Sequence, residues 1–162
     1  LIAKGNAQFH FEMGVNSNLT VYEFGQTYDL GVGAYLEPRF ALTEDLDIGV
    51  YVGVNGFVGF GKNNNSNDDF DATWILSVLP SVSYRFLDSK ISPYVGLSVG
   101  RYYAEPIFIE KKTFDGGQQS HFGYALRLGV YLGRLNLGAM YNKAGDISFL
   151  QFNLGVRILN RK

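Results

Sequence analysis

The chain has 162 residues, a formal net charge of −1 at pH 7 and no cysteine. This length suits one domain, which we expect to cover residues 1–162, and the near-neutral charge gives no indication of a nucleic-acid partner. The absence of cysteine excludes a disulfide framework and a thiolate metal site.

Hydrophobic residues alternate one by one with small or polar residues along every long apolar segment of the chain. Leu46, Ile48 and Val50, for example, are separated by Asp47 and Gly49. A period of two indicates β-strands, because successive side chains of a strand point to opposite faces. In chain order, we expect strands at residues 6–16, 28–40, 46–61, 70–86, 92–104, 120–133, 135–142 and 148–158.

The two faces of these strands indicate a membrane-spanning barrel. One face is apolar and almost uncharged on strand after strand, which is expected where the surrounding solvent is lipid. No run of about 18 consecutive apolar residues could form a membrane-spanning helix, and only helices and closed barrels satisfy all backbone hydrogen bonds without water. The opposite face is rich in residues small enough for a cramped interior: Gly14, Gly31, Gly33, Gly49, Gly53, Gly96, Gly100, Gly123, Gly129, Gly138 and Gly155.

The connections between the expected strands alternate between short and long. Short turns are expected at residues 43–45, 88–90 and 133–134, and longer loops at 17–27, 62–69, 105–119 and 143–147. This alternation is typical of an outer-membrane barrel with short periplasmic turns, longer extracellular loops and both termini in the periplasm. The predicted fold is therefore all-β: an eight-stranded antiparallel up-and-down transmembrane β-barrel.

Aromatic residues mark both ends of the expected lipid-facing surface. On the loop side these are Phe60, Phe70, Trp74, Tyr103, Phe122, Tyr124 and Tyr141, and on the turn side Phe9, Phe40, Tyr84 and Phe86. Such belts form where amphipathic rings lie among lipid headgroups. Arg101 falls on the same face near the loop end of its strand, where a long side chain can reach the headgroups.

The strand number and the pattern of turns and loops resemble the small eight-stranded outer-membrane β-barrel family, which includes the OmpA transmembrane domain and the OmpX and OmpW barrels. The resemblance covers nearly all residues and rests on pattern rather than on a specific motif. It implies the bacterial outer membrane as the location, with membrane lipid and lipopolysaccharide as contacts.

The two ends of the chain carry further signals. The last strand of the family commonly ends in an aromatic residue, whereas in this chain Phe152 is the last aromatic residue on the lipid-facing side of the alternation. Near its start, Gly5 and Ala7 fit the −3 and −1 positions of a secretory signal.

Eight strands leave a lumen that side chains just fill, so an open pore is not expected. Charged residues nevertheless fall on the inward face, most of them near the turn side: Glu12, Glu37, Arg39, Asp47, Arg85, Arg127 and Arg157. Because an unpaired buried charge is costly, we predict an internal ion-pair network near the periplasmic mouth. The network has a structural interpretation, in which it plugs the lumen, and an alternative one, a gated path for protons or small ions.

Enzymatic activity is an alternative for the barrel as a whole. Enzymes of this architecture act on acyl chains of lipid A or phospholipids, and they need a histidine, a serine and a carboxylate where lipid can reach. His10 and His121 are the two histidines, and both fall on the inward face, whereas Ser120 points to the opposite face. A triad of these residues with Asp71 lacks support. We therefore predict no catalytic, metal or cofactor site.

The long loops are the remaining candidates for function. Residues 105–119 alternate enough to extend two strands beyond the membrane as an apolar edge for a partner protein: Ile107, Phe108, Ile109 and Phe114. Alternatively, these residues pack against the loop at 17–27. The sequence favours a non-enzymatic outer-membrane barrel with a structural or surface-interaction role, or an accessory subunit of a larger complex. The alternatives are a lipid-modifying enzyme and a soluble, lipocalin-like carrier.

Overall fold

The computed structural model describes residues 9–21, 29–60, 70–87, 89–107 and 119–159, and eight β-strands lie in these ranges. The strands are β1 (Phe9–Thr20), β2 (Leu30–Ala41), β3 (Leu46–Phe60), β4 (Phe70–Arg85), β5 (Ile91–Ile107), β6 (Gln119–Leu132), β7 (Leu135–Ala144) and β8 (Ile147–Leu159). Each expected strand is present within a few residues of its expected bounds. None of the described residues belongs to a helix that is long and apolar enough to cross a membrane.

Each strand pairs antiparallel with the next strand in the chain, and β1 also pairs with β8, which closes the sheet into a barrel. The closing ladder runs from His10 opposite Leu159 to Thr20 opposite Phe149. Closure gives every strand two hydrogen-bonded neighbours, so the strands pair their backbone groups with one another rather than with water. The predicted up-and-down barrel is therefore confirmed.

The large apolar side chains of the alternation point away from the barrel axis. Val32 and Leu128 are 71% and 63% exposed, whereas Tyr51 and Glu37 on the inward face are 1% and 0% exposed. Apolar side chains exposed on every strand are unfavourable in water and favourable in hydrocarbon. The barrel is therefore a transmembrane one, and the alternative of a soluble carrier with an apolar lumen is wrong.

The connections define a turn side and a loop side. Short connections lie where β1 begins and β8 ends, at residues 42–45, 86–90 and 133–134. On the opposite, loop side, β7 and β8 are joined by the two-residue turn Gly145–Asp146, so the prediction of a longer loop at 143–147 is wrong. Gly145 has a φ of +57°, a left-handed conformation that tight hairpins need and that glycine adopts without steric cost.

Inward-facing tyrosines cover inward-facing glycines one or two strands away. Tyr35 lies opposite Gly14 in the β1–β2 ladder, and Gly14 lies opposite Gly155 in the β1–β8 ladder. A Cβ atom added to either glycine would collide with the Tyr35 side chain, and Tyr94 covers Gly129 in the same way. Glycine therefore makes the room in which large rings fill an eight-stranded lumen, as expected from the small residues of the inward face.

Candidate functional site

Glu37 lies at the centre of a buried cluster of charges in the lumen. Arg127 donates to both carboxylate oxygens of Glu37, through Nη1 at 2.8 Å and Nη2 at 2.9 Å. Arg39 donates from Nη2 at 2.7 Å, and the Ser81 hydroxyl donates at 2.7 Å. Bidentate, charge-assisted hydrogen bonds of this kind compensate part of the cost of taking the charges out of water.

Glu12 lies directly opposite Glu37 in the β1–β2 ladder, so two carboxylates stand side by side on the inward face. Like charges in this position repel each other. Arg39 relieves the repulsion, because its Nη2 atom also lies 3.6 Å from Glu12 Oε2. Neutral groups supply the other donors to the Glu12 carboxylate: the Tyr35 hydroxyl at 2.8 Å, the Tyr131 hydroxyl at 3.0 Å and the Asn136 amide.

A second group of charges lies nearer the turn side. The Asp47 side chain is fully buried, with Arg85 Nε 3.6 Å and His10 Nε2 3.8 Å from its Oδ2 atom. Neither Asp47 oxygen accepts a hydrogen bond from a described residue. Arg157 instead stacks on Tyr131, with its guanidinium carbon 3.7 Å from the ring centre, which is a cation–π contact.

The structure thus divides the seven predicted network residues. Glu12, Glu37, Arg39 and Arg127 share one network, Asp47 and Arg85 form a separate pair, and Arg157 contacts a ring rather than a carboxylate. The network also has uncharged members that were not predicted from the sequence: Tyr35, Ser81, Ser83, Tyr131 and Asn136. The alternation places these side chains on the inward face. It does not show which residues they contact, because their partners lie on other strands.

Toward the loop side of the ionic network, the lumen holds buried apolar and uncharged polar side chains. The apolar layer is formed by six residues that are 0–1% exposed: Phe57, Ile75, Leu79, Tyr102, Met140 and Phe149. The polar side chains include Asn18, Asn55 and Gln151. The rings of Phe57 and Phe149 pack edge to face, with centres 5.1 Å apart. The described part of the lumen is therefore occupied at two levels, by the ionic network toward the turn side and by the apolar layer with its polar neighbours toward the loop side.

The two histidines lie apart from the lipid-facing surface. His10 lies beside Asp47 in the lumen, and His121 points inward toward Gly145, where an added Cβ would come within 3.0 Å of His121 Nδ1. Ser120 points outward and accepts a hydrogen bond from Arg101 Nη1 at 3.2 Å. Across the described ranges, no group of three or more potential metal ligands occurs.

The predicted partner-binding residues fall at the edge of what the structure describes. β5 continues to Ile107, three residues beyond its expected end at residue 104, and only the backbone of Ile107 is described. Phe108, Ile109 and Phe114 lie outside the described residues. Their packing therefore remains a prediction.

No protein-family model matches the sequence, and no curated protein matches it. Solved structures do match. Neisserial surface protein A (NspA) has a TM-score of 0.61 and 17% identity, covering 95% of this chain and 99% of that chain. The Yersinia pestis attachment invasion locus protein Ail, in complex with the heparin analogue sucrose octasulfate, has a TM-score of 0.60 and 16% identity, covering 95% and 100%. The Pseudomonas aeruginosa outer membrane protein OprG has a TM-score of 0.58 and 14% identity, covering 94% and 96%.

These likenesses, at 14–17% identity, establish the fold. The resemblance to small eight-stranded outer-membrane barrels is thereby confirmed at the level of architecture. Together with the apolar exterior, the fold makes this chain a transmembrane barrel of the outer-membrane type.

Replacing Glu37 with glutamine should destabilise the barrel, because Arg39 and Arg127 lose the carboxylate that they share. Breaking a buried ion pair by removing one partner typically costs about 3–5 kcal/mol. The free energy of unfolding, measured by urea titration in detergent micelles, should fall accordingly. In the matched control Glu44→Gln, which changes an exposed turn residue, stability should stay within about 0.5 kcal/mol of the original. Equal stability of the two variants would contradict this role of the network.

Proposed function

We propose that this protein is an integral barrel of the bacterial outer membrane without an open pore, which has a surface-interaction role as an accessory subunit beside a larger outer-membrane protein. The observation that carries the proposal is the filled lumen. Glu37 and Arg39 close it toward the turn side, and Phe57 and Leu79 close it toward the loop side, all at 0–1% exposure. A barrel filled in this way has its outer surface and its connections available for function.

The architecture supports a surface role. A closed barrel is a rigid base, and the long connections all lie on one side of it. Ail, which shares this fold, has been solved in complex with the heparin analogue sucrose octasulfate. By analogy, we propose that the loop side of this chain contacts a partner at the cell surface. The apolar edge predicted at Ile107, Phe108, Ile109 and Phe114 is our candidate for a protein partner.

The proposal excludes a pore, and electrical recording tests this directly. In planar lipid bilayers the purified barrel should produce no stable channels. Glu12→Ala and Arg127→Ala should also leave the conductance at baseline, because the apolar layer around Leu79 and Phe57 remains in place in both variants. Stable openings of the unmodified barrel would overturn the proposal, and openings of the two variants alone would favour the gated ion path.

A non-enzymatic role is also part of the proposal. Its support is that Ser120 and His121 point to opposite faces of β6 and that Ser120 is engaged by Arg101. Acyl chains of lipid A and phospholipids should therefore be retained on incubation with the barrel, to the same extent as with His121→Ala. Mass spectrometry of the recovered lipid measures this. Loss of an acyl chain with the unmodified barrel but not with His121→Ala would identify an enzyme instead.

An accessory subunit should co-purify with its partner. Extraction of native membranes in mild detergent should yield the barrel together with a larger outer-membrane protein. A variant with Ile107→Ser and Ile109→Ser should lose this partner while still migrating on gels as a folded, heat-modifiable barrel. If the barrel elutes alone, or if the variant retains the same partner, the proposed edge is not the binding surface.

A further inference from the structure

Charged side chains are rare on the outward face of the eight strands. Among the described residues they are confined to Arg101 and Glu105 on β5 and Lys143 on β7, all near the loop side. Glu105 is thus the sole carboxylate on this surface within the described ranges. None of the described residues places a cation within 4.0 Å of it, although a carboxylate beside lipid is unfavourable unless it is neutralised or solvated.

A groove of about 180 Å³ lies beside Glu105 on the lipid-facing surface. Its lining residues are Val54, Trp74, Leu76, Tyr103 and Glu105. They form two successive rungs, which are rows of residues paired across neighbouring strands. In one rung Trp74 lies opposite Glu105, and in the next Leu76 lies between Val54 and Tyr103. The groove therefore combines one carboxylate with two aromatic and two aliphatic side chains, at the level of the loop-side aromatic belt.

A glycine gives the groove its width. Gly56 lies opposite Trp74 on β3, on the side away from Glu105, and an added Cβ there would lie 3.3 Å from the indole ring. The indole therefore lies partly above β3. A residue larger than glycine at position 56 would displace the ring toward β5. This position of Trp74 leaves space between the ring and the Glu105 side chain.

We propose that this groove binds the headgroup of a membrane lipid that carries a primary ammonium next to its phosphate, as in a phosphoethanolamine group. Glu105 supplies the counter-charge for the ammonium, and the faces of Trp74 and Tyr103 attract the same cation through their quadrupoles. Val54 and Leu76 lie one rung farther into the membrane, where they contact the hydrocarbon of the lipid. An ammonium thus removes the cost of the unpaired carboxylate, which an uncharged or purely anionic headgroup does not.

Arg101 is the cation assigned to the phosphate of the same headgroup. Its Nη1 atom donates to Ser120 on β6, which lies opposite Tyr103, so the guanidinium extends one rung toward the level of Glu105 on the side of β5 away from Trp74. Along β5 the two charges are then about two residues apart, or roughly 7 Å, and the offset toward β6 adds to this distance. A positive group followed by a negative group complements a phosphate followed by an ammonium. Lys143 lies two strands away, opposite Tyr124, and is not part of the groove.

The sole tryptophan of the chain lines the groove, so its fluorescence reports on binding there directly. The barrel in uncharged detergent micelles should be titrated with dihexanoyl phosphatidylethanolamine and, separately, with dihexanoyl phosphatidylglycerol. The two lipids share their phosphate and acyl chains and differ in the ammonium. We expect a saturable change of Trp74 emission. The lipid concentration at half-maximal change should be about tenfold lower for the ethanolamine lipid, which means a Kd about tenfold lower.

Variants separate the contributions of the two charges. Glu105→Gln keeps the shape of the side chain and should remove the preference for the ethanolamine lipid. Arg101→Gln should weaken the binding of both lipids, because both carry a phosphate. The control Glu44→Gln, in a turn on the opposite side of the barrel, should bind like the original protein. Heat-modifiable migration confirms folding of each variant.

The inference depends on the membrane placement of the barrel and not on its proposed partner, so each can fail separately. Equal responses to the two lipids, a response that does not saturate, or an unchanged preference in Glu105→Gln would each overturn it. Loss of preference in Glu105→Gln with unchanged behaviour of Glu44→Gln would support it.

Discussion

The structure depends on the hydrogen-bonded ladder between β1 and β8. Hydrocarbon offers no hydrogen bonds, so a sheet with free edges would leave backbone N–H and C=O groups unpaired in the membrane. The ladder from His10 to Thr20 removes this cost and at the same time sets the circumference of the barrel at eight strands. The narrow lumen and the inward glycines of the described strands follow from this closure.

The interior combines two kinds of filling that make different contributions. The apolar layer of Phe57, Leu79 and Met140 packs as in a soluble core. The ionic network around Glu37 is costly to desolvate, and its hydrogen bonds form only when β2, β4 and β6 are in their observed register. A slip of β1 by one residue would turn Glu12 toward the lipid, so the charges also oppose the wrong pairing of strands.

Because buried side chains occupy the described lumen, the proposed interactions lie on the outside of the barrel. The loop side carries the long connections, and the lipid-facing surface just below them carries the groove at Trp74 and Glu105. The groove lies at the level where headgroups meet water, which the aromatic side chains Trp74, Tyr103 and Tyr124 mark on the barrel. A protein partner at the loops and a lipid in the groove are therefore compatible with each other.

The amino-acid sequence by itself determined the number of strands, which side chains face the lumen, and that lipid surrounds the outer face. These properties can be read from the sequence because a period of two is a local property. The sequence misplaced strand ends where the alternation is polar: β1 continues to Thr20, since Ser17 and Asn18 remain paired with both neighbouring strands and Thr20 remains paired with β8. It also missed the two-residue turn Gly145–Asp146. The residues on either side of this turn have a loop-like composition, but they are paired with each other in the β7–β8 ladder.

Only the tertiary structure decided which inward charges meet. Glu37 and Arg127 are 90 residues apart, and they form an ion pair because strand register and barrel closure bring β2 and β6 together across the lumen. The same holds for the groove, where Gly56, Trp74 and Glu105 come from three strands and share one rung. Alternation specifies the face on which a side chain lies. Its neighbours on that face depend on register and shear, which are properties of the closed sheet as a whole.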